Sequence, residues 1–207
     1  MPRIIAITGA PGAGKTTYAV QLAAHLGGVH LPMDGYHLAD VSLDRLGLRD
    51  RKGAPETFDA WGYAALLRRL REVGDDPGAR ERGETVYAPA FERDLEQPLA
   101  GAIAVPADVG LVVTEGNYLL LDTPEWRAAR ACVDEVWWLD VDDELRRARL
   151  VARHVRFGKT PEEAAAWVAA VDDPNAALVQ AVRHRADRVV RADEPLPDAL
   201  RPGPTRP

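Results

Sequence analysis

Eight consecutive residues combine three glycines with a lysine and a threonine at a spacing that suits phosphate binding. They read G-x-x-x-x-G-K-T and are Gly9, Ala10, Pro11, Gly12, Ala13, Gly14, Lys15 and Thr16. Glycines let a backbone turn tightly and bring its N–H groups close to an anion. The lysine ammonium can reach the β- and γ-phosphates of a nucleotide, and the threonine hydroxyl can ligate Mg²⁺. Together with the adjoining Thr17, these residues form the predicted nucleotide-binding loop.

The flanks of this loop are those that the motif requires. Residues 3–8 before it are a short apolar, β-branched run, as expected of a buried parallel strand. Tyr18, Leu22 and Leu26 after it have helical spacing, and a helix start adds unpaired N–H groups and a partial positive charge. A glycine-rich turn with a chance Lys-Thr pair is the disfavoured alternative. The chain is therefore predicted to bind a nucleoside triphosphate.

Two carboxylates follow apolar strand candidates. Asp34 ends the run 29–33, and Glu115 ends the run 109–114. Because the carboxyl ends of parallel strands share one edge of a sheet, both acids are expected to face the ligand crevice. Each could instead be a turn residue, as Asp-Gly often is. Glu115 is the candidate Walker-B-like acid, which makes Thr16 and Glu115 the predicted Mg²⁺ ligands.

A candidate helix after residue 142 carries a stripe of arginines. Its members are Arg146, Arg149, Arg153 and Arg156, at steps of three, four and three residues. At about 100° per residue they occupy roughly a quarter of the helix circumference. Like charges so arranged repel each other unless an anion approaches, and the transferring phosphate is the expected anion. An ordinary solvated face is the alternative. We interpret the region of about 142–172 as a hinged lid.

The elements as a whole alternate between strand and helix, which predicts an α/β fold with a parallel, doubly wound sheet. Residues 1–193 are predicted to form one domain. The stretches 85–89 and 103–105 are short strand candidates, and the second is assigned to a hairpin outside the main sheet. The tail 194–207 carries five prolines and is predicted to be disordered.

Composition narrows the class of protein. The chain has 207 residues, 46% of them hydrophobic, and a net charge of −6, which argues against a nucleic-acid partner. Cys132 is the single cysteine, so no intrachain disulfide is expected. The first apolar run has only six residues and leads directly into the loop, and no stretch approaches the roughly 20 apolar residues of a membrane span. The expectation is a cytoplasmic protein without a membrane partner.

Five stretches occur in an order that resembles one kinase family. They are the nucleotide-binding loop and residues 33–37 (MDGYH), 51–59 (RKGAPETFD), 87–93 (YAPAFER) and 113–118 (VTEGNY). This order resembles the uridine kinase, phosphoribulokinase and bacterial pantothenate kinase family. It is most similar to the short members named nucleoside or nucleotide kinases, or fructose-transport-linked sugar kinases. The likeness covers about residues 3 to 191.

The resemblance implies an ATP-dependent kinase of nucleoside-kinase-like P-loop fold, with Mg²⁺ and a small-molecule acceptor. It implies that Asp34 is the general base and that Arg146, Arg149 and Arg153 form a lid over the phosphates. The predicted catalytic residues are thus Lys15, Asp34, Arg149 and Arg153. The predicted acceptor-binding residues are Asp34, Tyr36, His37, Lys52, Tyr87, Arg93, Glu115, Asn117 and Asn175. The Tyr36-His37 pair departs from uridine kinases and the chain is shorter than pantothenate kinases, so nucleoside, pantothenate-like and sugar acceptors stay open.

Two classes other than a small-molecule kinase remain open. The first is a nucleotide-dependent switch or regulatory ATPase without an acceptor. An Asn/Thr-Lys-x-Asp motif, expected of a GTPase switch, is absent because none of the three lysines has Asp two residues later. The second is a non-catalytic nucleotide-binding module, against which the intact Lys15, Thr16, Asp34 and Glu115 argue. The sequence leaves the choice of triphosphate and the oligomeric state open, with a homodimer as one option.

Overall fold

Five parallel strands form the central sheet of the computed structural model, which describes residues 1–92, 94–198 and 200. Strands of the described chain are β1 (Arg3–Thr8), β2 (Val29–Pro32), β3 (Thr85–Glu92), β4 (Gln97–Pro106), β5 (Leu111–Glu115), β6 (Glu135–Asp140) and β7 (Arg188–Arg191). The central sheet has the order β2-β5-β1-β6-β7. With β1 in the middle and later strands added on both sides, this is the predicted doubly wound arrangement.

Helices connect the strands and cover the sheet. They are α1 (Lys15–His25), α2 (Asp40–Leu46), α3 (Ala60–Asp75), α4 (Pro77–Glu81), α5 (Pro124–Ala131), α6 (Asp143–Arg156), α7 (Pro161–Trp167) and α8 (Asp173–Ala181). A π-helical turn, Val168–Asp172, joins α7 to α8. The predicted lid therefore comprises α6, α7 and this turn, and its movement stays a prediction. None of the helices in the described parts of the chain is long and apolar enough to cross a membrane.

Both faces of the central sheet are buried, and β1 shows why its sequence is continuously apolar. Ile4 and Ala6 pack into a cluster with α3 and α5, whereas Ile5 and Ile7 pack into a second cluster with α1. Successive side chains of a strand point to opposite faces, so a strand covered on both sides needs apolar residues at every position. This packing fixes the frame on which the loops of the site are mounted.

The strand register brings the chain's polar strand ends together. Ile7 of β1 and Pro32 of β2 both pair with Glu115 at the end of β5. The nucleotide-binding loop follows β1 directly, and Asp34 lies in the 3₁₀ turn Met33–Tyr36 that follows β2. The predicted loop and both predicted carboxylates thus occupy one edge of the sheet, where parallel α/β proteins bind their ligands.

The strands β3 and β4 form an antiparallel hairpin outside the central sheet. The sequence assigned only its second strand to a hairpin, and both strands are longer than expected. Val86, Ala88 and Val105 point into the cluster shared with α3, so a single face of the hairpin is buried. A two-stranded ribbon is stable only when such a face is packed, which α3 provides here.

The start of the C-terminal tail is ordered against the core, contrary to the predicted disorder from residue 194. Leu196 and Leu200 pack against the cluster that contains α1. Burial of these two apolar side chains offsets the entropy cost of ordering the proline-rich segment. Residues 199 and 201–207 of the predicted tail lie outside the described residues.

Gly35 is a position where the fold leaves no space for a side chain. A Cβ at Gly35 would collide with the backbone carbonyl oxygen of Pro89 in β3, whereas a Cβ at Gly110 would meet nothing within 4 Å. We expect Gly35→Ala to lower the free energy of unfolding by about 1–3 kcal/mol, since backbone atoms must move apart. Urea unfolding of both variants measures this, with Gly110→Ala as the control. Equal stability of the two variants would show that the turn and the hairpin are not held in contact.

Candidate functional site

The nucleotide-binding loop wraps the start of α1 in the shape expected of an anion cradle. Gly12 and Gly14 have φ angles of 82° and 94°, in the left-handed region that favours glycine. A Cβ at Gly12 would lie 2.7 Å from the carbonyl oxygen of Arg146, so the loop also needs glycine to pass beneath α6. No side chain caps α1, which leaves the first N–H groups of the helix available to a phosphate.

Lys15 carries an ammonium group that is buried inside this loop. Its side chain is only 7% exposed, and Nζ donates a hydrogen bond to the carbonyl oxygen of Ala10 at 3.1 Å. The pKa of Lys15 is lowered from the usual 10.5 to about 8, mainly by burial; Glu115 and Asp34 raise it, and Arg153 adds to the lowering. The two acids and Arg153 therefore lie within electrostatic reach of the lysine, and an incoming phosphate would stabilise its charged form.

Glu115 and Thr16 meet at the edge of the loop. Thr16 Oγ1 donates a hydrogen bond to Glu115 Oε1 at 3.1 Å, and Glu115 is only 3% exposed. Carboxylate and hydroxyl oxygens are hard ligands that suit Mg²⁺, which usually binds to proteins through one or two carboxylates together with substrate phosphates. No group of three or more His, Cys, Asp or Glu side chains among the described residues could hold a metal ion alone. The Thr16–Glu115 pair fits a Mg²⁺ ion that a nucleotide also ligates.

One cavity of about 630 Å³ joins the loop to the segments that carry Asp34 and Lys52. Most of the predicted site residues line it. They are Pro11, Gly12, Gly14, Lys15, Thr16, Thr17, Asp34, His37, Lys52, Glu115, Asn117, Arg149, Arg153 and Asn175. Gly9, Ala10 and Ala13 complete the loop behind this surface. The cavity is large enough for a nucleotide and a small second substrate side by side.

The far wall of the cavity is aromatic and was not predicted as such. The His37 ring lies 4.0 Å from the ring of Phe58 and 4.9 Å from that of Phe91, measured between centroids. These rings come from three separate segments of the sequence, so no local sequence pattern predicts that they form one wall. Phe58 and Phe91 nevertheless lie within the two stretches that carry the family resemblance. Such a wall offers a flat apolar face to a bound metabolite.

A charged group flanks the aromatic wall. Lys52 Nζ donates to Asp40 Oδ1 at 2.9 Å and to the carbonyl oxygen of Glu96 at 2.7 Å, and it lies 5.5 Å from the centre of the Phe91 ring. Arg49 pairs with the other oxygen of Asp40 at 2.8 Å. The sequence singled out Lys52 but missed Asp40 and Arg49, whose role depends on contacts across the cavity. The side chains of Lys52, Arg49 and Asp40 thus present hydrogen-bond donors and an acceptor next to one another in the cavity.

Hydrogen bonds hold the loop of Lys52 in place. Gly53 N donates to Thr57 Oγ1 at 3.0 Å, and Thr57 Oγ1 donates to the carbonyl oxygen of Ala54 at 2.7 Å. The buried Tyr118 hydroxyl donates to the carbonyl oxygen of Gly53. Burial raises the pKa of Tyr118, so the hydroxyl stays protonated and keeps donating. The Gly-Ala-Pro-Glu-Thr stretch therefore acts as a rigid support for Lys52.

Two predicted acceptor residues, Tyr36 and Tyr87, are not among the residues that line this cavity. Tyr36 packs edge-on against Tyr63 with ring centroids 5.4 Å apart and contributes to the core instead. Tyr87 is 62% exposed, because its neighbours Val86 and Ala88 on β3 take the buried face and alternation turns Tyr87 outward. The assignment of these two residues to the acceptor site stays a prediction. Arg93 lies outside the described residues.

The arginine stripe of α6 is divided between two environments. Arg149 and Arg153 line the cavity, and Arg149 Nη1 donates to the carbonyl oxygen of Ala13 at 3.2 Å. Arg156 lies beside Phe157. Arg146 is not among the residues that line this cavity, and its role over the phosphates stays a prediction. This side chain is 3% exposed and is held by Asp143 at 2.6 Å and Asp173 at 2.7 Å, on the side of α6 that faces α8.

The lid contributes further cavity residues that the sequence did not assign. His154 Nε2 lies 2.9 Å from Asp172 Oδ2, and the Lys159 ammonium lies 4.5 Å from the centre of the Trp167 ring. All four line the cavity with Asn175. The π-helical turn contains Asp172 and widens the helix there, a distortion that is frequent at functional sites.

Comparison with known proteins agrees with this architecture. The sequence pattern of the phosphoribulokinase / uridine kinase family matches residues 4–193. An ATP-dependent kinase-like protein of Aspergillus versicolor is 39% identical over 138 residues, which cover 65% of this chain and 77% of that protein. A candidate uridine kinase of Schizosaccharomyces pombe is 34% identical and is matched by 78% of this chain over 71% of its own length. The crystal structure of a candidate fructose transport system kinase from Silicibacter sp. TM1040 superposes with a TM-score of 0.79 at 36% identity, covering 91% of this chain and 89% of that one.

Removing the buried charge of Lys15 should stabilise the nucleotide-free protein. Because its folded-state pKa of about 8 lies below the ordinary 10.5, holding the ammonium charged at neutral pH costs stability. We expect Lys15→Met to raise the free energy of unfolding at pH 7 by on the order of 1–3 kcal/mol, while nucleotide binding is lost. The wild-type protein should gain stability relative to the variant as pH rises from about 8 towards 10.5, where the difference disappears.

Urea unfolding across this pH range measures the effect. Lys159→Met is the matched control, because it removes another lysine charge from the same cavity without a comparable burial. It should show no stabilisation of this kind. A Lys15→Met variant that is no more stable than wild type at neutral pH would refute the burial penalty.

Proposed function

The chain belongs to the phosphoribulokinase / uridine kinase family, and on this basis we propose that it transfers the γ-phosphate of ATP to a hydroxyl group of a small metabolite. The observation that carries the proposal is the single cavity that joins the nucleotide-binding loop to Asp34 and to the aromatic wall. A regulatory ATPase needs only the first half of that cavity. A kinase with a small acceptor needs both halves in one continuous cavity, so that the acceptor hydroxyl can be aligned with the γ-phosphate.

The loop half would hold the triphosphate. The N–H groups at the start of α1 and the Lys15 ammonium bind its β- and γ-phosphates. Thr16 and Glu115 would hold Mg²⁺, which when bound neutralises part of the phosphate charge. The low pKa of Lys15 in the free protein means that triphosphate binding is coupled to full protonation of this amine near its pKa of about 8.

Asp34 would act as the general base on the acceptor. In the transfer, the acceptor hydroxyl gives its proton to the Asp34 carboxylate as its oxygen forms a bond to the γ-phosphorus. The bond from that phosphorus to the β–γ bridging oxygen breaks, and ADP leaves. The turn that carries Asp34 is well held, since His37 donates to the Asp34 carbonyl oxygen through its backbone N–H at 3.1 Å and through Nδ1 at 2.9 Å.

Arg149 and Arg153 would stabilise the charge that develops on the transferring phosphoryl group. They belong to α6, which crosses over the loop at Gly12. Guanidinium groups bind phosphate oxygens with fixed geometry, and a helix positions them more precisely than a loop would. Closure of the lid over the phosphates would also exclude water, which limits hydrolysis of ATP.

The acceptor is proposed to be a nucleoside, a pantothenate-like compound or a sugar. The names of two relatives, a candidate uridine kinase and a candidate fructose transport system kinase, support the first and the last of these. The Lys52–Asp40 pair offers a donor and an acceptor beside an aromatic face, an arrangement that suits a hydroxyl-bearing metabolite.

A screen of metabolites for acceptor-dependent release of ADP tests the proposal. ATP turnover that no metabolite increases would favour a regulatory ATPase.

Asp34→Asn separates the proposed base from nucleotide binding. The variant keeps the side-chain shape and removes the charge, so we expect near-normal ATP affinity and a fall in kcat of about 10²-fold or more. Calorimetry measures binding, and acceptor-dependent ADP release measures turnover. Glu115→Gln is the matched comparison, and its main defect should be in Mg²⁺ binding. If Asp34→Asn loses ATP–Mg²⁺ binding and Glu115→Gln loses only turnover, the two roles are reversed.

Arg149→Ala and Arg153→Ala test the lid arginines. Because phosphoryl charge is greatest in the transition state, we expect each change to lower kcat by on the order of 10³-fold with little change in melting temperature. Arg156→Ala is the control, since it removes an arginine of the same stripe that does not line the cavity. Similar kinetics for all three variants would show that the stripe is only a solvated face.

A further inference from the structure

His30 lies behind the proposed metal ligand Glu115. Its Nε2 atom is 3.7 Å from Glu115 Oε1, the same oxygen that accepts the hydrogen bond from Thr16. Nε2 is buried, and no atom among the described residues forms a hydrogen bond with it. Buried ring nitrogens normally have a partner, so this one requires an explanation.

The strand register, and not a flexible loop, sets this proximity. His30 of β2 pairs with Val113 of β5, and two residues further on Pro32 pairs with Glu115. Because side chains alternate between faces, His30 and Glu115 project from the same face of neighbouring strands as diagonal neighbours. Both side chains start from a parallel sheet that is covered on both faces, so their backbones are firmly positioned.

The Glu115 carboxylate has room for another donor. Its two oxygens can accept about four hydrogen bonds, whereas Thr16 supplies one at 3.1 Å. The distance of 3.7 Å between His30 Nε2 and Glu115 Oε1 exceeds the length of a hydrogen bond by a few tenths of an ångström. Hydrogen bonds at active sites are often long before ligands bind and shorten in the complex.

We propose that His30 is a positioning residue, which donates a hydrogen bond from Nε2 to Glu115 and holds its carboxylate in the orientation that Mg²⁺ binding requires. The inference rests on the proposed role of Glu115 as a metal ligand. Groups that hydrogen-bond a metal ligand from outside orient it, and their loss commonly weakens metal binding by tenfold or more. His30 itself is not among the residues that line the cavity.

Three substitutions at position 30 distinguish donation from simple packing. His30→Gln places an amide nitrogen near the position of Nε2, and His30→Asn places one near Nδ1. His30→Leu introduces an apolar side chain of similar length that has no hydrogen-bond donor. We expect His30→Leu and His30→Asn to weaken metal binding by about tenfold, and His30→Gln to remain close to wild type.

The measurement is binding of Mn²⁺ to the full chain in complex with a non-hydrolysable ATP analogue, followed by electron paramagnetic resonance of free Mn²⁺. Binding of the analogue alone, in the presence of EDTA, should be the same in all variants. His25→Leu, which removes an exposed histidine from the last turn of α1, is the control and should leave both affinities unchanged.

Two results would overturn the inference. One is unchanged Mn²⁺ affinity in His30→Leu. The other is an equal loss in His30→Gln and His30→Leu, which would indicate a role in packing alone. In a Glu115→Gln background, His30→Leu should cause no further loss, because its effect acts through that carboxylate.

The same titrations separate this inference from the proposed function. If Glu115→Gln weakens Mn²⁺ binding and His30→Leu does not, only the role of His30 is wrong. If Glu115→Gln has no effect on Mn²⁺, its role as a metal ligand fails and the inference fails with it. Whether the chain phosphorylates an acceptor is decided independently, by acceptor-dependent release of ADP.

Discussion

The buried ammonium group of Lys15 is the constraint on which the rest of the site depends. A charged amine without solvent is tolerated only if nearby oxygens compensate it, and here the carbonyl oxygen of Ala10 and the carboxylates of Glu115 and Asp34 do so. The compensation is incomplete, as the lowered pKa shows. The proposed triphosphate would complete it. In the free protein, the charged form of Lys15 is therefore electrostatically unfavourable, and the proposed ligand would remove this cost. Binding sites often lower the stability of the free protein in this way.

The parallel sheet makes this arrangement possible because it fixes backbone positions over long sequence distances. The register that pairs Ile7 and Pro32 with Glu115 places three strand ends within one site. Around this edge the segments of Asp34 and Lys52 are joined by backbone hydrogen bonds, including those from Leu38 to Thr57 and from Asp59 to Tyr36. The aromatic wall of the cavity is thus assembled from loops that support one another, while the sheet beneath them is apolar and rigid.

Helix α6 shows how one amphipathic element serves two purposes. Its residues Arg149 and Arg153 face the cavity, whereas Arg146 is neutralised by Asp143 and Asp173 and fastens the helix to α8. A buried arginine with two carboxylate partners avoids the cost of an isolated charge. The ion pairs attach the base of the proposed lid, and the next two arginines of the stripe line the cavity.

The sequence by itself determined the features that depend on local pattern. The glycine spacing of the loop, the apolar strands and the acids at their ends predicted the fold class, the edge of the sheet and the convergence of Lys15, Asp34 and Glu115. Only the tertiary structure decided which way individual side chains point. The outward direction of Tyr87, the pairing of Arg146 and the approach of His30 to Glu115 follow from strand alternation and packing between segments far apart in the chain. Composition and spacing do not encode these features, because they depend on how elements far apart in the chain pack against one another.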